Sequence, residues 1–264
     1  MKKKVKLALM ISTFAVLIAA VELISRTGII NPYFLPAPSK VIQTMWRERD
    51  FIFGNAWVSI IRMITAYAIG TSLGILLGIA VGWYKHVEAT MGSVLNALYS
   101  VPKLTFLPLF ILWLGLDNIA FLAVTVLSTF FPTFLNTYSG VKKTDKAYIE
   151  LFNNFKGKKT DMLRKIVIPA ALPYISTGLR MSIGTVLTIT TVTEMAMADK
   201  GIGAIIWRGG AVFRADYIVA GQIILAVFGV SMFALYDLIE GKLLLNWMNT
   251  KKNGVTNKRY YQEL

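Results

Sequence analysis

The chain of 264 residues has no cysteine and a single histidine, His86. Without cysteine there is no disulfide framework, no thiolate metal site and no thiol nucleophile. One imidazole gives little basis for a histidine metal cluster or a Ser-His-Asp triad. Charge is also scarce. Only 16% of residues are charged, against about 25% in an ordinary soluble domain. A phosphate-cradling loop is missing too. Gly157-Lys158-Lys159-Thr160 looks faintly like one. However, Phe152 stands where the upstream glycine is needed, and Lys159 replaces the required Ser or Thr. If ATP drives this protein, a separate chain binds it.

What is abundant is apolar. Hydrophobic residues make up 55% of the chain, and the mean hydropathy is +0.58. So little polar surface cannot coat a soluble fold of this length, and lipid is the solvent that fits. The apolar runs predict an all-α polytopic membrane protein with about six transmembrane helices in a single domain. The expected spans are roughly 7–24, 59–84, 89–114, 118–140, 172–195 and 217–240. The first run follows Lys2, Lys3, Lys4 and Lys6 and is read as a retained helix, because no small-x-small cleavage site follows. Pro32, Pro36 and Pro38 mark an extended connection, and Ser39 is the expected N-cap of a short helix over 40–49. Pro102 and Pro108 predict a bent third span after an interfacial segment.

The net charge is +14. The basic residues cluster at the ends of the apolar runs, which points to loops obeying the positive-inside rule rather than to nucleic acid. With six spans both termini share a side. Eighteen lysines and arginines fall on that side: the N-terminal four, Lys85, eight between Lys142 and Lys165, and Lys242, Lys251, Lys252, Lys258 and Arg259. Seven fall opposite: Arg26, Lys40, Arg47, Arg49, Lys200, Arg208 and Arg214. The richer side is expected to be cytoplasmic.

Gly70, Gly74, Gly78 and Gly82 recur every four residues and share one helix face, the pattern of close helix packing. Polar residues inside spans are costly in lipid and should face protein or a pathway. The candidates for the pathway are Lys103, Asn136, Thr190 and Glu194, with Arg180 and the neighbouring threonines Thr185, Thr188, Thr191 and Thr193. Arg180 and Glu194 lie roughly four turns apart, too far for a direct pair, so their partners lie elsewhere.

Residues 142–169 form a long connection between two spans. Within it Tyr148, Leu151, Phe152 and Phe155 fall on one helical face, with Lys146, Glu150, Asn153 and Asn154 on the other. Such a helix suits either a lipid surface or a groove in a soluble partner.

Specific motifs then carry a resemblance. Tyr148-Ile149-Glu150-Leu151-Phe152, with Ile166 to Ile175 and Gly178-Leu179-Arg180, is similar to the EAA loop of binding-protein-dependent ABC permeases. Leu35 to Val41, Pro102 to Gly115, Phe131 to Thr137 with Gly140-Val141, Thr193-Glu194-Met195 and Gly201-Ile202-Gly203 resemble the branch that serves sulfonates, taurine, nitrate and related solutes. These landmarks stand in family order over roughly 35–210. The sequence departs from the pattern inside the loop. Leu151 and Phe152 replace two alanines. The position of the expected glycine holds Lys156, and Gly157 comes one place late.

The resemblance implies a type I ABC importer permease in the cytoplasmic membrane of a bacterium or archaeon. It implies two permeases, identical or homologous, two ABC ATPase subunits that bind the ATP, and an extracytoplasmic substrate-binding protein. The loop would couple to the ATPase through Tyr148, Glu150, Leu151, Phe152, Phe155 and Gly157. No cofactor or metal is expected in this chain, and no catalysis of its own. The rival reading is an ion-coupled secondary transporter or channel, but no inverted repeat is evident.

Overall fold

The computed structural model describes residues 3–31, 33–155 and 157–255. Lys2, Pro32, Lys156, Lys258 and Arg259, invoked above for charge, chain breaking and loop register, lie outside the described residues. All regular structure among the described residues is helical. The helices are α1 (Lys3–Arg26), α2 (Pro38–Arg47), α3 (Arg49–Trp83), α4 (Lys85–Val87), α5 (Ser93–Tyr99), α6 (Leu107–Leu114), α7 (Asn118–Lys142), α8 (Lys146–Asn154), α9 (Lys159–Met162), α10 (Ile168–Met197), α11 (Ile202–Ala211) and α12 (Ala215–Val255).

Among the described residues four helical stretches are long and apolar enough to cross a membrane: Arg49–Trp83, Asn118–Lys142, Lys159–Ala196 and Ala215–Lys242. Lys85–Tyr99 and Lys103–Leu114 pass that test only together, across a 96° bend. The third expected span, read from its prolines as bent, thus falls on two helices divided by that bend. Pro102 caps a 3₁₀ turn at the break, and Pro108 sits in the first turn of α6, where a missing N–H costs nothing. By length and apolarity the count is four or five, so six is an approximate figure. α1 occupies the first expected span.

Two boundaries differ from expectation. α2 starts at Pro38, and Ala37, not Ser39, is its N-cap. The amide and hydroxyl of Ser39 are both directed to Glu22. α3 starts at Arg49, ten residues before the expected 59. Its polar residues break the apolar run, but Ile52, Ala56 and Ser59 are buried at helical spacing. The helix α11 fills a stretch that hydropathy left unassigned.

The chain divides into two compact units. One comprises residues up to Ile61 with Thr191–Val227, the other Arg62–Thr190 with the chain from Phe228 onward. The first has cores around Val41, Ile52 and Ile205, and around Ala56, Ile202 and Ile206. The second has an aromatic core of Phe130, Phe131 and Phe134 with Val81 and Leu95. It also has an aliphatic core of Val141, Met162, Val167, Ala171 and Ile175.

Candidate functional site

The glycine face of α3 lies against α7. A Cβ at Gly74 would come 2.8 Å from the Phe130 carbonyl and from Thr133 Cβ. At Gly78 it would come 2.6 Å from Thr137 Cβ, and at Gly82 2.8 Å from Val141 Cβ. Gly70 meets Thr129 in the same way. Backbone therefore sits on side chain along four successive turns, a spacing that only glycine permits. On its other side α7 receives α10. Thr133 Oγ1 is 2.9 Å from Ser182 Oγ, and Ser182 donates to the Thr129 carbonyl at 2.9 Å. These contacts hold α7 and α10 side by side and set the face that α10 leaves open.

That open face is polar. Thr177, Met181 and Thr188 are exposed and Gly184 and Thr185 partly so, all within one arc of α10. Thr177, Thr185 and Thr188 each donate to a carbonyl one turn earlier, at 3.0–3.2 Å. Their hydroxyl protons are satisfied, and their oxygens remain available as acceptors. Asn136 of α7 sits beside them. Its amide donates to the Pro132 carbonyl at 2.8 Å and approaches Met181 Sδ at 3.6 Å. Of the candidates named from the sequence, Asn136, Thr185 and Thr188 therefore lie on or beside this stripe, and Thr177, Met181 and Gly184 lie on it without having been singled out. Thr190 and Thr193 do not join it, because both are buried.

Glu194 has a different setting. It is 1% exposed. Ser59 Oγ lies 2.7–2.8 Å from its two carboxylate oxygens, and the Gly203 amide donates to it at 3.0 Å. Ser59 Oγ also accepts from the Ile202 amide at 2.8 Å, and Asn55 Oδ1 accepts from the Gly201 amide at 2.8 Å. Gly201 has φ +129°, and any Cβ there would collide with the Glu194 carboxylate. Thr193-Glu194-Met195 and Gly201-Ile202-Gly203 are thus two halves of one feature, a carboxylate that fixes the entry to α11. Buried and bonded in this way, Glu194 is not part of the exposed stripe of α10. Nearby, the Asp216 carboxylate, 2.7 Å from Arg214, raises that guanidinium above its already high pKa.

Lys103 also turns inward. Its ammonium lies 4.6 Å from the ring centres of both Tyr99 and Phe131 and donates to the Tyr99 carbonyl. A cation packed between two rings in the bend is held by its own segment through Tyr99 and by α7 through Phe131. Arg180 pairs with Asp237 of α12, a partner outside its own helix, as the spacing from Glu194 requires.

The helix α8 spans nine residues. Tyr148 and Leu151 are exposed, and Phe155, just past its end, is 80% exposed. Phe152 departs from the expected face: with Ile149 it packs on the core of Val141, Met162 and Val167. The Gly157 amide donates to the Phe152 carbonyl at 3.3 Å. A Cβ at Gly157 would overlap the Phe152 ring. This ring explains why glycine stands at 157, one place late, since it occupies the space that a side chain would need.

Comparison with known proteins agrees with this architecture. Residues 70–244 match the family described as binding-protein-dependent transport system inner membrane component. A Bacillus subtilis protein named as aliphatic sulfonates transport permease SsuC is 32% identical over 89% of this chain and 86% of its own length. The formylaminopyrimidine transport permease ThiX of Halalkalibacterium halodurans is 31% identical over 89% of this chain and 94% of its own. The taurine transport system permease TauC of Escherichia coli is 27% identical, covering 84% and 83%. Among solved structures, an amino acid ABC transporter chain superposes with a TM-score of 0.61 at 15% identity, over 76% of this chain and 98% of that one. A chain of the inward-facing MetNI methionine ABC transporter gives 0.55 at 15%, over 74% and 98%. The chain belongs to this family of inner-membrane components. It is an ABC importer permease with the type I permease fold, working with an ATPase that is a separate subunit.

Proposed function

We propose that the chain supplies half of the membrane pathway of its importer, and that solute passes along the face of Asn136, Thr177, Met181, Gly184, Thr185 and Thr188. The observation that carries this reading is the position of that face. It is an uncharged, polar, accessible stripe on a membrane-length helix held rigidly by α7. Lipid does not favour such a surface, whereas a small hydrophilic solute does. A second permease, a copy or a homologue, closes the other half, and an extracytoplasmic binding protein delivers the solute. The names of the relatives support a small sulfonate, taurine-like or pyrimidine-precursor solute, and nitrate belongs to the same size class. The chain carries no ATPase site. Its single transmembrane domain crosses six times with both termini cytoplasmic, and the ATPase docks on the exposed face of α8.

The test is uptake into proteoliposomes by the assembled permease, ATPase and binding protein, with ATP on the ATPase side. We expect ATP-dependent uptake of one of these solutes, blocked by a methanethiosulfonate reagent in the Thr188→Cys variant of this cysteine-free chain. Uptake driven by an ion gradient without the ATPase would overturn the reading in favour of an ion-coupled transporter.

A further inference from the structure

The ten-residue helix α2 has three separate sectors. Val41, Thr44 and Met45 turn toward the protein, and Val41 lies in the core with Ile52, Ile205 and Ala220. Lys40, Gln43 and Arg47 form an exposed polar sector. Between these two sectors Ile42 and Trp46 are 66% and 72% exposed. A helix on the surface of a soluble protein needs only two sectors. A third, apolar and uncovered, needs a third medium.

The surroundings of α2 identify that medium. Glu22, near the end of α1, accepts from the amide and hydroxyl of Ser39 at 3.0 and 2.7 Å. Thr44 donates to Asp216, in the first turn of α12, at 2.7 Å. Glu48 alone separates α2 from the start of α3, and it accepts from Tyr217 of α12. The chain thus pins α2 at once to the last turns of α1 and the first turns of α3 and α12. In a membrane protein those turns lie where the hydrocarbon ends. The Arg49 guanidinium stands 5.6 Å over the Trp46 ring, a cation beside an aromatic belt residue.

We propose that α2 is an in-plane interfacial helix. Ile42 and Trp46 enter the acyl boundary of the bilayer, and Lys40, Arg47 and Arg49 meet lipid phosphates. The partner is the phospholipid surface itself, which supplies both the apolar layer and the negative charge that this helix lacks. On the topology proposed above this is the extracytoplasmic leaflet, but the insertion does not depend on which leaflet it is.

Single nitroxide labels test it in the assembled transporter, reconstituted in vesicles of phosphatidylethanolamine and phosphatidylglycerol. Ile42→Cys and Trp46→Cys should collide with oxygen severalfold more than with a water-soluble nickel chelate, and Gln43→Cys and Arg47→Cys should show the reverse. Nickel accessibility at 42 and 46 equal to that at 43 and 47 would overturn the proposal. So would loss of both collision signals at 42 and 46 only when the binding protein is added, because that marks a protein-docking face. The labels report location, so the result stands even where a variant has reduced activity. An impermeant maleimide applied to Gln43→Cys in intact cells reads the leaflet separately, so an error in topology leaves the insertion result standing.

Discussion

Removing the Glu194 carboxylate leaves at least two groups without their acceptor at once: the Ser59 hydroxyl and the Gly203 amide. Each orphaned buried donor costs about 1–3 kcal/mol. Glu194→Ala should therefore lower the thermal stability of the detergent-solubilised protein and reduce its level in the membrane. Glu194→Gln keeps one acceptor oxygen in place and should lie between the variant and the native chain. If Glu194→Ala melts at the native temperature but abolishes uptake, the residue acts on solute and the backbone role is wrong. The sequence marked Glu194 as unusual, because an acid inside an apolar run must have a reason. It did not show the reason, because Ser59 stands 135 positions away, at the start of a different expected span. Lys103 shows the same limit: the prolines that flank it are visible in the sequence, but the Phe131 ring it packs against is not.

The period of a helix reveals which residues share a side and leaves open which side is covered. For α3 the four-residue glycine repeat was sufficient, since a stripe with no side chains has one physical use. For α8 the apolar arc was wider than one face. Tyr148, Leu151 and Phe155 remain outward, while Ile149 and Phe152 fill the core beneath. This division separates two kinds of variant. Leu151→Asp and Phe155→Ala should remove ATPase copurification and uptake while the permease level in the membrane stays normal. The loss expected is about 2 kcal/mol or more for an interface anchor. Phe152→Asp should lower the permease level itself, because it buries an unpaired charge within the chain's own core. A normal level of Phe152→Asp with selective loss of the ATPase would place Phe152 on the docking face after all. Copurification undisturbed by Leu151→Asp and Phe155→Ala would instead give α8 to the lipid surface.

At the scale of the whole chain, the family was legible because its landmarks are short, ordered and spread over most of the sequence, so no single one had to be strong. The number of crossings was less legible. Hydropathy follows composition along the chain, and the 96° break between Lys85–Tyr99 and Lys103–Leu114 changes the path without changing composition. Orientation depends on neither, because it is set by basic residues outside the spans. Eighteen lysines and arginines on one side against seven on the other predict that the connection over 142–169 and both ends of the chain are cytoplasmic. The absence of cysteine makes this directly measurable. An impermeant maleimide applied to intact cells should not reach Lys158→Cys, in the turn before α9, until the membrane is permeabilised. The same reagent should reach Lys200→Cys, just before α11, in intact cells. Labelling of both from outside would mean that an even number of crossings between them is wrongly counted as odd. Labelling of 158 alone would invert the protein. Either result would also move the exposed face of α8 away from the compartment that holds ATP, and the coupling reading would then fail with it.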